Sequence, residues 1–305
     1  MKNNLTIYVL NYPGAMPSAM VGIQDIFTIA NQQAERELFS IIPLSSIVPK
    51  NNEERRVVFI PPCLNKQLPS FADPEILALL NRWYKSGAVL VAACAGVFWL
   101  ANAGLLDGKQ ATTHWRLCQR LSDSYPAIKQ VSGREVVVDQ GDIVTAAGLY
   151  AFQDLSLHLI ARFSGFKLAK KVSDFCLLDL NGRLQAYYQR FHQDFSHGDT
   201  LMVKAQQFCS RHLWPSMSVS QIANHCHISE RTLLRRFKKA TGFTPKQYII
   251  QLKVEKAKQF MELGKISIEE IGYNLGYADT SNFIKIFKKI AGITPSEFRA
   301  KQKIL

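Results

Sequence analysis

The chain has 305 residues, too many for one ordinary domain and enough for two, and 47% of them are hydrophobic, which excludes disorder as its main state. The formal net charge of +13 is unevenly placed: residues 201–305 hold 18 Lys and Arg against 7 Asp and Glu, a net of +11, and residues 1–200 hold 19 against 17, a net of +2. A compact basic module joined to a near-neutral one points to polyanion binding at one end and another task at the other.

From the start of the chain, apolar runs alternate with helical stretches. Residues 5–10, 39–44, 57–60, 88–93, 135–138 and 143–145 read as strands. Residues 19–31, 74–86, 95–103, 116–124 and 151–163 read as helices, the first with Ile23, Ile26, Phe27 and Ala30 on one face and the second with Pro74 in its first turn. The rhythm predicts an α/β domain over residues 1–180: a mainly parallel sheet with helices on both faces. Residues 86–106 carry no charge over 21 positions, long enough for a bilayer, but Gly87, Gly96, Asn102 and Gly104 interrupt them, so they read as a buried strand followed by a helix and no membrane partner is expected. Residues 5–10 are too short for a secretory leader. The six cysteines form no Cys-x-x-Cys pair, which suits a reducing, cytoplasmic setting.

After residue 165 the rhythm stops. Residues 166–180 read as one more helix, and 181–199, polar and aromatic, read as a connecting arm. Residues 200–305 are all helical in pattern and contain an internal repeat. RTLLRRFKKATGFTP at 231–245 returns as SNFIKIFKKIAGITP at 281–295, an offset of 50 that repeats Phe237-Lys238-Lys239, Gly242, Thr244 and Pro245. Each copy follows a short helix and a turn, giving helix-turn-helix units at about 219–240 and 268–291. Ser229 and Asp279 or Thr280 suit the starts of the second helices, and Gly242 and Gly292 suit their ends. Leu233, Phe237 and Ala240, and Phe283, Phe287 and Ile290, face inward, which leaves the basic residues outward. A helix fits the DNA major groove, where its early exposed residues meet base edges and later lysines meet phosphates. Residues 245–262 form a stiff spacer of about 27 Å, close to the roughly 34 Å between successive major-groove segments on one face.

These motifs make residues 200–303 resemble the AraC/XylS regulators, whose DNA-binding domain is two helix-turn-helix units joined by a helix. The resemblance implies base reading by Arg231, Leu234 and Arg235 in the first unit and by Thr280, Ser281, Ile284 and Lys285 in the second. Lys238, Lys239, Asn282, Lys288 and Lys289 complete the expected interface with double-stranded DNA. Arg231 and Arg235 are the guanine-contact candidates, since a guanidinium bonds O6 and N7 together.

In the first domain, Ala93-Cys94-Ala95-Gly96 lies between a strand and a helix, where a sharp turn exposes a nucleophile beside free N–H groups. His114 follows at twenty residues. ACAG at 93–96, AGLLDGKQATTHW at 103–115 and TAAGLYAFQDLSLHLI at 145–160 resemble the ThiJ/PfpI branch of the class I glutamine amidotransferase-like superfamily, which implies a flavodoxin-like sheet. The fusion is similar to the GlxA-like regulators. Catalytic members of that superfamily carry a Glu in the first strand–helix loop; here the loop at 11–19 has no carboxylate, Ala19 stands at that position, and Asp25 lies about two turns further on. The expectation is therefore a degenerate pocket, formed by Tyr12, Pro13, Cys94, Ala95 and His114, that takes a small-molecule effector or serves only dimerisation, with no catalysis and no cofactor. A homodimer and an RNA polymerase contact are further expectations. A Cys-dependent amidase or hydrolase with a DNA-targeting tail is the competing reading, and oxidation of Cys94 as a sensor stays open. His225-Cys226-His227 cannot easily converge on one ion even with Cys209 and His212 nearby, so no metal is expected.

Overall fold

A computed structural model describes residues 4–44, 55–65, 70–180, 184–212, 217–264 and 266–302. It divides into two compact units, Met1–Gln185 and Ala186–Leu305.

The first unit is built on a six-stranded sheet. Its strands are β1 (Leu5–Val9), β2 (Phe39–Pro43), β3 (Arg55–Ile60), β4 (Val89–Ala93), β7 (Val137–Asp139) and β8 (Ile143–Ala146), in the order β2-β1-β3-β4-β8-β7. All neighbours are parallel except β7 and β8. The central strands are apolar throughout because both faces are covered. Alternate residues serve alternate faces: Ile7, Val9, Val57, Phe59, Val91 and Ala93 pack with α1 (Pro17–Ala34), α5 (Ala151–Ser164) and α6 (Phe166–Cys176). Tyr8, Leu10, Val58, Ile60, Leu90 and Ala92 pack with α2 (Pro74–Lys85) and α3 (Val97–Asn102) on the other face.

Three local readings need correction. A separate two-stranded parallel sheet, β5 (Gln110–Thr112) with β6 (Gln130–Ser132), flanks α4 (Cys118–Ser124), and three residues per strand are too few to show alternation in sequence. The strand expected at 135–138 lies two residues later at its start. The helix expected to reach Leu180 stops at Cys176, where Leu177 turns left-handed at φ 54° and is exposed. The uncharged stretch 86–106 folds into β4 and α3, and among the described residues no helix is long and apolar enough to cross a membrane.

A single turn, α7 (Gln185–Tyr188), leads into the helical unit of α8 (Thr200–Arg211), α9 (Val219–His225), α10 (Glu230–Thr241), α11 (Pro245–Leu263), α12 (Ile268–Asn274), α13 (Thr280–Ala291) and α14 (Pro295–Gln302). The spacer α11 belongs to two cores. Its first half gives Tyr248, Ile249 and Leu252 to the cluster around Leu233 and Phe237, and its second half gives Val254, Ala257 and Met261 to the cluster around Phe283 and Phe287.

Residues 181–183 of the arm lie outside the described residues, but 186–199 do not behave as a free connector: they fold onto α11. Arg190 pairs with Glu255 and Glu262, Phe191 N donates to Glu255 at 3.1 Å, and the buried Lys258 donates to the Gln189 carbonyl at 2.5 Å. Phe191 meets Tyr248 edge-on at 5.1 Å, and Tyr187 packs on Phe298 at 5.3 Å. The aromatics that look loose in sequence are therefore wedges, one against each core.

Candidate nucleic-acid interface

The recognition helices α10 and α13 are made the same way. Ser229 Oγ accepts from Thr232 N at 3.3 Å, and Asp279 accepts from Ser281 N and Asn282 N at 3.0 and 3.1 Å. These oxygens satisfy N–H groups that a helix start leaves free. Gly242 and Gly292 end the helices at φ 76° and 80°. Thr244-Pro245 and Thr294-Pro295 then start α11 and α14, each Thr exchanging bonds with the residue three places on.

Leu233, Phe237, Phe283 and Phe287 are fully buried. Arg231, Leu234, Arg235, Lys238 and Lys239 are exposed on α10; Ser281, Asn282, Lys285, Lys288 and Lys289 are exposed on α13; Thr280 and Ile284 are half-buried. Arg236, which shares the basic run, behaves differently. It grips Asp199 with Nη2 at 2.7 Å and Nε at 3.0 Å, and Asp199 in turn caps α8 through Met202 N. The Arg236 hydrogen bond holds the Asp199 carboxyl below the ordinary carboxylate range.

The turns preceding the recognition helices also match. His227 N donates to the Asn224 carbonyl and Ile228 N to that of Ala223, as Gly276 N does to Tyr273 and Tyr277 N to Gly272. The pivot residue is left-handed in both, φ 53° at His227 and 73° at Gly276.

In the first unit, Cys94 sits in a 3₁₀ turn, Cys94–Gly96, between β4 and α3, itself left-handed at φ 54°. A Cβ on Gly96 would meet the Pro61 carbonyl oxygen at 2.5 Å, so only glycine lets the turn close. Thr113 Oγ1 donates to the Cys94 carbonyl at 2.7 Å. Burial pushes the Cys94 thiol up to about 11, outweighing the backbone N–H groups of Ala95, Gly148 and His114 that favour the thiolate. Only the backbone of His114 reaches the thiol in this way; its imidazole Nδ1 accepts from Arg116 N at 3.2 Å, and burial, then the Arg116 charge, keeps the ring below the ordinary histidine value. Tyr12 is buried, donates to the Pro61 carbonyl at 2.7 Å and packs edge-on against Trp99 at 5.6 Å. Ala95 is buried too, whereas Pro13 is exposed. Among the described residues no group of three or more His, Cys, Asp or Glu could hold a metal ion.

Residues 57–162 match the DJ-1/PfpI family, and residues 222–301 match a helix-turn-helix domain family. The chain is 27% identical over 241 residues to the HTH-type transcriptional regulator ArgR of Pseudomonas aeruginosa, covering 78% of this chain and 72% of that one. It is 26% identical over 296 residues to the HTH-type transcriptional regulator GlxA of Rhizobium meliloti, covering 89% of this chain and 88% of that one. The chain joins a region that matches the DJ-1/PfpI family to one that matches a helix-turn-helix domain family. A crystal structure of an AraC family transcriptional regulator from Pseudomonas putida is similar with a TM-score of 0.46 and 22% identity, covering 57% of this chain and 99% of that one.

Within the DJ-1/PfpI domain, Cys63 is not singled out by the sequence, yet it bridges to Ala15 and lies near enough to both Tyr12 and Cys94 to add, after burial, to what opposes their ionisation. Nothing local in Pro62-Cys63-Leu64 signals this, because the pairing spans some fifty residues. In the helix-turn-helix domain the missed residues are Arg236 and the arm, whose partners are also distant in sequence.

Proposed function

We propose that the protein is a sequence-specific DNA-binding transcriptional regulator in which α10 and α13 enter successive major-groove segments. Arg231, Leu234 and Arg235 read bases from α10; Thr280, Ser281, Ile284 and Lys285 do so from α13; Asn282 and the pairs Lys238-Lys239 and Lys288-Lys289 hold the backbone. The observation that carries this reading is the duplicated construction: two helices with side-chain caps, glycine ends and exposed Lys pairs at one offset, both packed on α11. Arg236 is a structural tie, not a base reader.

The DJ-1/PfpI domain serves dimerisation and small-molecule sensing in this reading, in the cytoplasm, with an RNA polymerase contact through either domain. A cysteine hydrolase is favoured by the left-handed Cys94 turn with its convergent N–H groups. It is disfavoured by a thiol pushed up to about 11, by an imidazole turned to Arg116, and by a first loop without a carboxylate. Gel shifts with the intact protein on its own promoter region test the regulator reading: affinity should fall steeply with salt, as Lys and Arg displace counterions. Salt-insensitive binding, or none, overturns it.

A further inference from the structure

Between its two helix-turn-helix units the AraC-type domain carries a pocket of about 440 Å³. Lys246, Ile250 and Lys253 of α11 line one side, Val219 at the start of α9 another, and Tyr277 and Ile286 of the second unit a third. Two lysines line this space and, among the described residues, no carboxylate does. Lys253 lies over the Tyr277 ring, Nζ 5.2 Å from its centroid, and burial alone holds its ammonium below the ordinary lysine range. The Tyr277 hydroxyl is buried and has no hydrogen-bond partner among the described residues. A buried hydroxyl left unbonded is costly, and so is a half-buried cation without a counter-charge. Val219, Ile250 and Ile286 add an aliphatic stretch of wall, with Ser218 and Asn282 among the other lining residues. Ile286 stands where the first unit has Arg236, so the second unit presents an aliphatic side chain at a position that is cationic in the first.

We infer that this pocket binds a small amphipathic anion. Its carboxylate, sulfonate or phosphate head pairs with Lys253 and accepts from Tyr277 Oη, and its apolar body lies against Val219, Ile250 and Ile286. The volume falls within the range of small-molecule sites. A bare phosphate of the DNA backbone would use the cations and leave the aliphatic wall idle. Asn282 on α13 also lines the pocket, so an occupant places negative charge beside a helix that approaches DNA phosphates and weakens DNA binding. That consequence rests on the regulator reading; the binding itself does not.

Fluorescence titration of the intact protein with anilinonaphthalene sulfonate tests it. The wild type should show a saturable site. Lys253→Gln removes the pairing cation and Ile250→Trp fills the pocket; each should weaken that site by about tenfold or more, whereas Tyr277→Phe, which drops only the hydroxyl, should weaken it about threefold. If the tryptophan variant fails to fold, the other two decide. Equal dye affinity in the folded variants overturns the inference, and so does displacement of the dye by inorganic phosphate as readily as by naphthalene sulfonate, which would make the pocket a plain phosphate slot. The dye is read without DNA, so a failure here leaves the regulator reading standing, and a failed gel shift leaves the pocket standing.

Discussion

The two helix-turn-helix units share a frame and differ in what they mount on it. At the offset of 50, Leu233 and Phe237 correspond to Phe283 and Phe287, all fully buried, so the inward face is preserved in kind. Outward, Arg231, Thr232, Leu234 and Arg235 correspond to Ser281, Asn282, Ile284 and Lys285. The first helix thus carries two guanidinium forks suited to guanine, and the second a single ammonium among small polar groups. Core positions tolerate little variation because they set the helix on α11, while exposed positions are free to diverge and, in the proposed reading, carry the specificity. Arg236 and Ile286 show a third kind of difference, one an ion pair to the arm and the other a pocket wall.

The frame itself gives the largest expected effects. Phe237→Ala and Phe287→Ala should each cost about 3–5 kcal/mol in urea unfolding of the intact protein, because each empties a fully buried aromatic site. Similar losses would support equal frames; a loss confined to one variant would break the comparison. Next come the reading positions. Arg235→Ala should reduce discrimination at one base pair by about 1–3 kcal/mol in competition gel shifts, and Lys285→Ala should reduce it less and at a different base pair, since a lone ammonium makes no fork. Loss of discrimination at the same base pair in both would contradict two separate reading helices.

Much of this was legible in the sequence, for a physical reason. Caps, glycine ends and apolar spacing are local, so the helices of both units stand within a residue or two of where the pattern places them, and the parallel sheet follows from apolar runs separated by helices. What was not legible depends on distant partners. Arg190 finds Glu255 and Glu262, and Lys258 finds the Gln189 carbonyl, across more than sixty residues, which turns an apparent linker at 186–199 into part of the helical core. His114 has the right spacing for an activated cysteine, but its ring caps a local turn instead. The same distance effect makes a further prediction: a fragment starting at residue 200 loses the wedge of Phe191 and leaves Glu255, Glu262 and buried Lys258 without their arm partners. It should therefore unfold at lower urea than one starting at residue 184, and similar midpoints would show that the arm adds nothing.

The turn pivots offer a smaller test. His227 holds a conformation that glycine adopts without strain, whereas Gly276 already occupies it. His227→Gly should stabilise by roughly 0.5–1 kcal/mol and Gly276→Ala should destabilise by about as much in thermal unfolding. The smallest difference is in acid. The Asp199 carboxyl, held low by Arg236, contributes stability that is full above its unfolded value of about 3.9 and is lost as the pH falls through the folded value. Asp279 follows the same sign, chiefly through its bonds to Ser281 and Asn282, with the Lys285 charge a lesser cause. Salt should therefore shrink the acid effect that Asp199→Asn removes more than the one that Asp279→Asn removes.

Hydroxyl-radical footprinting of the intact protein on its promoter reaches the central claim most directly. Two rigidly spaced recognition helices predict two protected patches on one face of the duplex, centred about 10 base pairs apart, with Arg235→Ala clearing one patch and leaving the other. A single patch, or two patches that Arg235→Ala clears equally, would contradict the account.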